Sequence, residues 1–169
     1  VQTGIGRTGT LFAFQQYGVE PDVCSFAKGI ASGLPMGGIL TNEKCAHVLT
    51  AGTHGSTFGG NPMSAAAALA VLDVLDQETL AQVTAKGDYL RAGIQAIGSP
   101  EIGQIRGLGL MLGLEVTGSR TNKELASLLA ENGLLCLTAG PNLRLLPPLI
   151  ITKDEMDKGL SILKQTLTD

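Results

Sequence analysis

Residues 23–29 read Val-Cys-Ser-Phe-Ala-Lys-Gly, a run without charge that ends abruptly on a lysine and a glycine. Such a run, Val23–Ala27, predicts a short buried strand, because strands covered on both faces lose the polar alternation. Gly37–Thr41 (GGILT) predicts a second short strand, after which Asn42 can cap a helix from Glu43 to about Leu49. Ahead of this pair lie a glycine-rich loop, Gly4–Gly9, and an apolar-aromatic segment, Leu11–Tyr17, expected to make a helical turn or two stopped by Gly18. Behind it, Thr50–Asn61 reads as a long polar loop. Pro62 then fits the first position of an Ala-rich, tightly packed helix to Leu75.

The pattern continues with a helix from Glu78 to about Ile97, carrying Leu80, Val83, Leu90, Ile94 and Ile97 on one face. Gly98-Ser99-Pro100 is the best domain break. Ile102–Val116 reads as two strands meeting near Gly107–Gly109. Thr121 caps a helix to about Glu131, stopped by Asn132-Gly133. Leu134–Leu137 and Leu143–Leu146 read as strands, the second ended by Pro147-Pro148. Thr152 and Glu155 form a capping box that opens a last helix to about Leu167. The fold class is α/β, expected as residues 1–76, a connecting helix at 77–98, and a smaller unit at 99–169.

Composition narrows the function. A net charge of -3 carries no basic footprint for nucleic acid. With 44% hydrophobic and only 16% charged residues the chain is not a disordered one. The longest apolar stretch, Ala65–Leu72, stops at Asp73, far short of the roughly 20 residues that span a bilayer, so no membrane partner is expected. Cys24, Cys45 and Cys136 are scattered and odd in number, which favours small buried thiols in a reducing, cytoplasmic setting over disulfides. The opening Val1-Gln2-Thr3-Gly4, without an initiator methionine, reads as a piece of a longer chain.

Gly4–Gly9 matches GxGxxG, but no strand precedes it, and Glu20 and Asp22 come before the next strand rather than at its end. That context excludes a dinucleotide fingerprint. His54 has no metal-ligand spacing to His47, a cysteine or a carboxylate, so no metal is expected.

Lys28 is the most informative residue. An amine at the end of an apolar strand is either a desolvated nucleophile suited to a Schiff base or a strand-end lysine reaching water. The loop His54–Pro62 combines the hydroxyls of Ser56 and Thr57 with a helix start, so it either holds a phosphate or simply connects. Arg144, between Leu143 and Leu145, binds an anionic substrate or an internal acid. Arg106, beside Gly107, reads as an ion-pair partner.

Four ordered segments carry a resemblance: Val1–Gly4 through Arg7-Thr8-Gly9, Ala27-Lys28-Gly29, Gly55–Pro62 (GSTFGGNP), and Leu143–Pro148 (LRLLPP). Together they resemble the class III pyridoxal-phosphate aminotransferases of the ornithine and acetylornithine type, over the whole chain. The resemblance implies the C-terminal part of a fold-type I large domain followed by the small α/β C-terminal domain. It implies that pyridoxal 5'-phosphate bonds to Lys28, which then moves a proton. Val1 would pack on the pyridine ring, and Gln2 would lie near its 3-oxygen. Ser56 and Thr57 would bind cofactor, Thr57 reaching the phosphate held by the partner subunit of a homodimer. Arg144 would grip a substrate carboxylate.

The implied reaction moves the amino group of N-acetylornithine or ornithine to 2-oxoglutarate, in arginine biosynthesis. An ornithine- or 4-aminobutyrate-type ω-aminotransferase is the neighbouring alternative, and a non-catalytic folded fragment the alternative of another class. The family's Asp-Glu pair before the valine, its phosphate loop, its ring-stacking aromatic residue and its second substrate arginine are absent from these residues. The fragment alone is therefore expected to be inactive.

Overall fold

The computed structural model describes residues 1–168. It forms two compact units, Val1–Leu80 and a second beginning at Ala81. Helix α2, Gln77–Ile97, thus gives most of its length to the second unit, with Val83, Gly87, Leu90 and Ile94 buried. The break expected at Gly98-Ser99-Pro100 falls after this helix instead, inside the second unit.

In the first unit, β1 (Val23–Ala27) pairs antiparallel with β2 (Gly37–Thr41), from Val23↔Thr41 to Ala27↔Gly37. Glycine at position 38 leaves space for the Phe26 ring, which packs where a side chain would stand. The strand is not buried as expected: Val23 is 48% exposed. Each strand of this sheet has one neighbour, and only the inner end, at Phe26, joins a cluster of Ile5, Ile30, Ala31 and Ala68.

Residues 43–49 do not make a helix. They turn through i→i+3 bonds such as Cys45 N to Asn42 O and Val48 N to Cys45 O. Asn42 is tied back to the residue before β1: its Nδ2 donates to Asp22 Oδ1 at 2.8 Å and its N–H to Asp22 O at 3.1 Å, beside the Lys44–Asp22 ion pair. Helix α1, Pro62–Val74, does begin at Pro62; it buries Ser64 and Ala68 but leaves Met63, Leu69 and Val74 exposed, so it is packed along one stripe only.

The second unit is a four-stranded antiparallel sheet of β3 (Ile102–Leu108), β4 (Met111–Val116), β5 (Leu137–Ala139) and β6 (Asn142–Leu145), in the order β3-β4-β6-β5. Period-2 alternation sends Leu112, Leu114 and Leu143 to one face. There they meet Val83, Leu90 and Ile94 of α2, Leu125 and Leu129 of α3 (Asn122–Glu131), and Met156 and Leu163 of α4 (Lys153–Thr168). The opposite face carries Gly113, Glu115, Asn142 and Arg144.

Both capping boxes form. Thr121 accepts from Glu124 N while Glu124 Oε2 accepts from Thr121 N, and Thr152 and Glu155 repeat the exchange. The strand expected at Leu134–Leu137 starts only at Leu137. Gly133 (φ +93°) closes α3 and directs Leu134 N to Leu129 O at 2.7 Å, so Leu134 belongs to the helix stop. The three cysteines are free and half-buried rather than fully buried.

Candidate active site

Lys28 sits where β1 breaks into a 3-10 segment, Lys28–Ala31. Its φ is +56°, and Ile5 (+52°) and Ser32 (+46°) share that left-handed conformation. Outside glycine this region is sparsely populated and costs on the order of 1–3 kcal/mol per residue, most for a β-branched one. Here packing holds it: Ile5, Ile30 and Ala31 are buried together, and Ile5 lies against Gly29. The corner therefore anchors Ile30 and Ala31 inward and turns Lys28 outward. Lys28 is exposed, not desolvated as its apolar strand implied, and no acid among the described residues pairs with it.

Val1 and Gln2 are exposed at the start of the first unit. Ser56 and Thr57 lie on an exposed turn closed by Gly59 N to Ser56 O, and neither hydroxyl has a partner among the described residues. The helix start behind them is not a free anion site. Asn61 Oδ1 already accepts from Met63 N (2.9 Å) and Ser64 N (3.3 Å), and Pro62 has no N–H to offer. Any phosphate bound here would rely on the loop's own hydroxyls and amides.

Arg144, in the second unit, stands opposite Gly113 across the β4–β6 ladder. Its Nε is buried without a hydrogen-bond partner, and no carboxylate among the described residues pairs with it. It lines a cavity of about 410 Å³ with Cys136, Leu145, Pro147 and Glu155. Glu155 accepts hydrogen bonds from Thr152 N and its hydroxyl. Burial pushes the Cys136 thiol up, keeping it protonated. Arg106 does take the ion-pair role, 3.8 Å from Glu115, with its Nε donating to Gln104.

Sequence reading missed two features: the strained backbone at Ile5 and Ser32, and the side chain of Asn122, which donates to Gly140 O and Asn142 O. A type II′-like Gly-Pro turn at 140–141 was the one available sign of the second.

The donor set fits pyridoxal phosphate. In the first unit an unpaired primary amine, Lys28, stands at a strained corner, and the hydroxyls of Ser56 and Thr57 lie without partners on an exposed turn. No cluster of metal-ligating side chains exists among the described residues, and none of their helices is long and apolar enough to cross a membrane.

Comparison with known proteins agrees. The family model for aminotransferase class-III matches residues 1–167. The chain is 48% identical over 176 residues to acetylornithine aminotransferase of Bifidobacterium longum, covering all of this chain and 41% of that protein. It is 46% identical over 169 residues to acetylornithine aminotransferase of Haemophilus ducreyi, covering all of this chain and 42% of that protein. Among solved structures, ornithine aminotransferase of Toxoplasma gondii superposes with a TM-score of 0.92 at 33% identity, over 99% of this chain and 42% of that one. The chain thus spans about two fifths of the length of these relatives. It belongs to the class III aminotransferases, a pyridoxal-phosphate-dependent family.

Proposed function

We propose that the protein containing this chain transfers the amino group of N-acetylornithine to 2-oxoglutarate, in arginine biosynthesis in the cytoplasm. The observation that supports it best is Lys28, an unpaired amine turned outward by a corner whose strain is held by packing. Curated relatives named acetylornithine aminotransferase favour the acetylated donor.

When bound, pyridoxal phosphate supplies the electron sink. This chain's residues would do the rest. Lys28 Nζ would hold the cofactor and, when free, would take and return the proton of the substrate carbon that bears the reacting amine. Thr57 and Ser56 would donate to the phosphate, Thr57 across a homodimer interface. Val1 would pack on the cofactor ring, and Gln2 would lie near its 3-oxygen. Arg144 orients a substrate carboxylate by a two-pronged contact that lysine cannot reproduce.

In this reading Val1–Leu80 is part of the cofactor-binding domain, and the unit from Ala81 is the small domain. Residues 1–169 alone would not transaminate, because pieces of the site implied by the resemblance are not among them.

The test is a donor series on the full-length enzyme with 2-oxoglutarate as acceptor. N-acetylornithine should show the highest kcat/KM, above ornithine and 4-aminobutyrate. Preference for either of those would reassign the substrate.

A further inference from the structure

We propose that Asn122 is a positioning residue for Arg144: it clamps the hairpin that carries Arg144 and so sets where the guanidinium meets a substrate carboxylate. This rests on the carboxylate-binding reading of Arg144.

The hairpin needs a clamp. Ala139 pairs with Asn142, leaving Gly140-Pro141 as a two-residue loop. Gly140 has φ +57°, and the Pro141 ring fixes φ near about -65°, the pattern of a type II′ turn. β5 is only three residues long and is an edge strand, bonded to β6 alone. Short edge hairpins open readily.

Asn122 supplies the missing restraint from outside the sheet. Its Nδ2 donates to Gly140 O at 2.9 Å and to Asn142 O at 3.2 Å, one carbonyl on each side of Pro141. Asn122 is itself held, as the first residue of α3 behind the Thr121–Glu124 capping box. Arg144 follows Asn142 by two residues on β6 and therefore shares its face. On that face Arg144 Nε and Asn142 Oδ1 are the buried side-chain atoms without partners among the described residues. The bearing of Arg144 is thus set by its backbone: the β4 ladder on one side, and the turn held by Asn122 on the other.

The test compares four forms of the full-length holoenzyme: unaltered, Asn122→Asp, Arg144→Lys and the double variant. Aspartate is isosteric and favoured in the first turn of a helix, yet it cannot donate to a carbonyl. The readouts are the Kd of glutarate, a non-reacting dicarboxylate, by calorimetry, KM and kcat for the amino donor, and the melting temperature. Asn122→Asp should weaken glutarate and raise KM by about five- to twentyfold while kcat changes less than about twofold. In the Arg144→Lys background the same change should fall below about twofold, as expected for two residues acting through one contact.

Equal losses in both backgrounds, or a lower melting temperature with Kd and KM unmoved, would overturn the positioning role and leave the reading of Arg144 standing. An Arg144→Lys enzyme that binds glutarate like the unaltered one would overturn both. Should Asn122→Asp fail to fold, Asn122→Ser, whose shorter side chain cannot span both carbonyls, must give the same split.

Discussion

The backbone of Gly87, midway along α2, lies directly against the carbonyl of Gly109 in the β3–β4 turn, with no room for a side chain between them. Two effects compete at this position. Alanine is favoured over glycine in a helix interior by up to about 1 kcal/mol. A Cβ here would overlap main-chain atoms, which cannot rotate aside, and overpacking costs roughly 1–3 kcal/mol. Overlap wins. Gly87→Ala is expected to lower unfolding free energy by about 1–2 kcal/mol in a denaturant titration of the full-length protein. An unchanged or raised midpoint would show that α2 can move off the turn at no cost.

The two capping boxes predict an acid dependence of stability. Hydrogen bonds from the Thr121 backbone and hydroxyl hold the Glu124 carboxyl below its ordinary 4.5, and Thr152 does the same for Glu155. A depressed folded value means that the unfolded state binds protons first. The stabilisation is therefore complete above 4.5 and is lost as pH falls through the lower, folded value. Melting temperatures of Glu124→Gln and the unaltered protein should differ most at neutral pH and converge in acid. A gap that stays constant with pH would remove the charge from the explanation.

Thr57→Ala should weaken pyridoxal-phosphate affinity in the full-length enzyme by about ten- to a hundredfold, the loss of one charge-assisted hydrogen bond. Mixed dimers decide which subunit Thr57 serves. A Lys28→Ala subunit paired with a Thr57→Ala subunit should keep one site of full affinity, because Thr57 of the first subunit would complete Lys28 of the second. Placing both substitutions on one subunit, with an unaltered partner, should leave none. The reverse pattern would show that Thr57 serves its own subunit.

What the sequence made legible was what neighbouring residues decide. β1 and β2 run over the residues read from the pattern, α1 begins at Pro62 as read, and Thr121 and Thr152 start their helices through bonds to residues three positions away. What it concealed depended on distant partners. The residues after the expected cap Asn42 form successive turns instead of a helix, and Asn42 itself bonds to Asp22, 20 positions away in sequence. The strand expected at Leu134 is displaced because α3 needs its amide. Lys28 was legible as an unusual residue, but its exposure and positive φ come from Ile5 and Ile30 packing beneath the corner. The pattern around Arg144 did not show that its Nε is buried without a partner and that no carboxylate among the described residues pairs with it.

The central claim is that Lys28 carries the cofactor, and one measurement reaches it directly. Full-length protein loaded with pyridoxal phosphate would be reduced with borohydride, digested and mapped by mass. The account predicts the added mass of the reduced cofactor on the peptide containing Lys28, and none after Lys28→Ala. The addition found on another lysine, or retained by the Lys28→Ala protein, would contradict it.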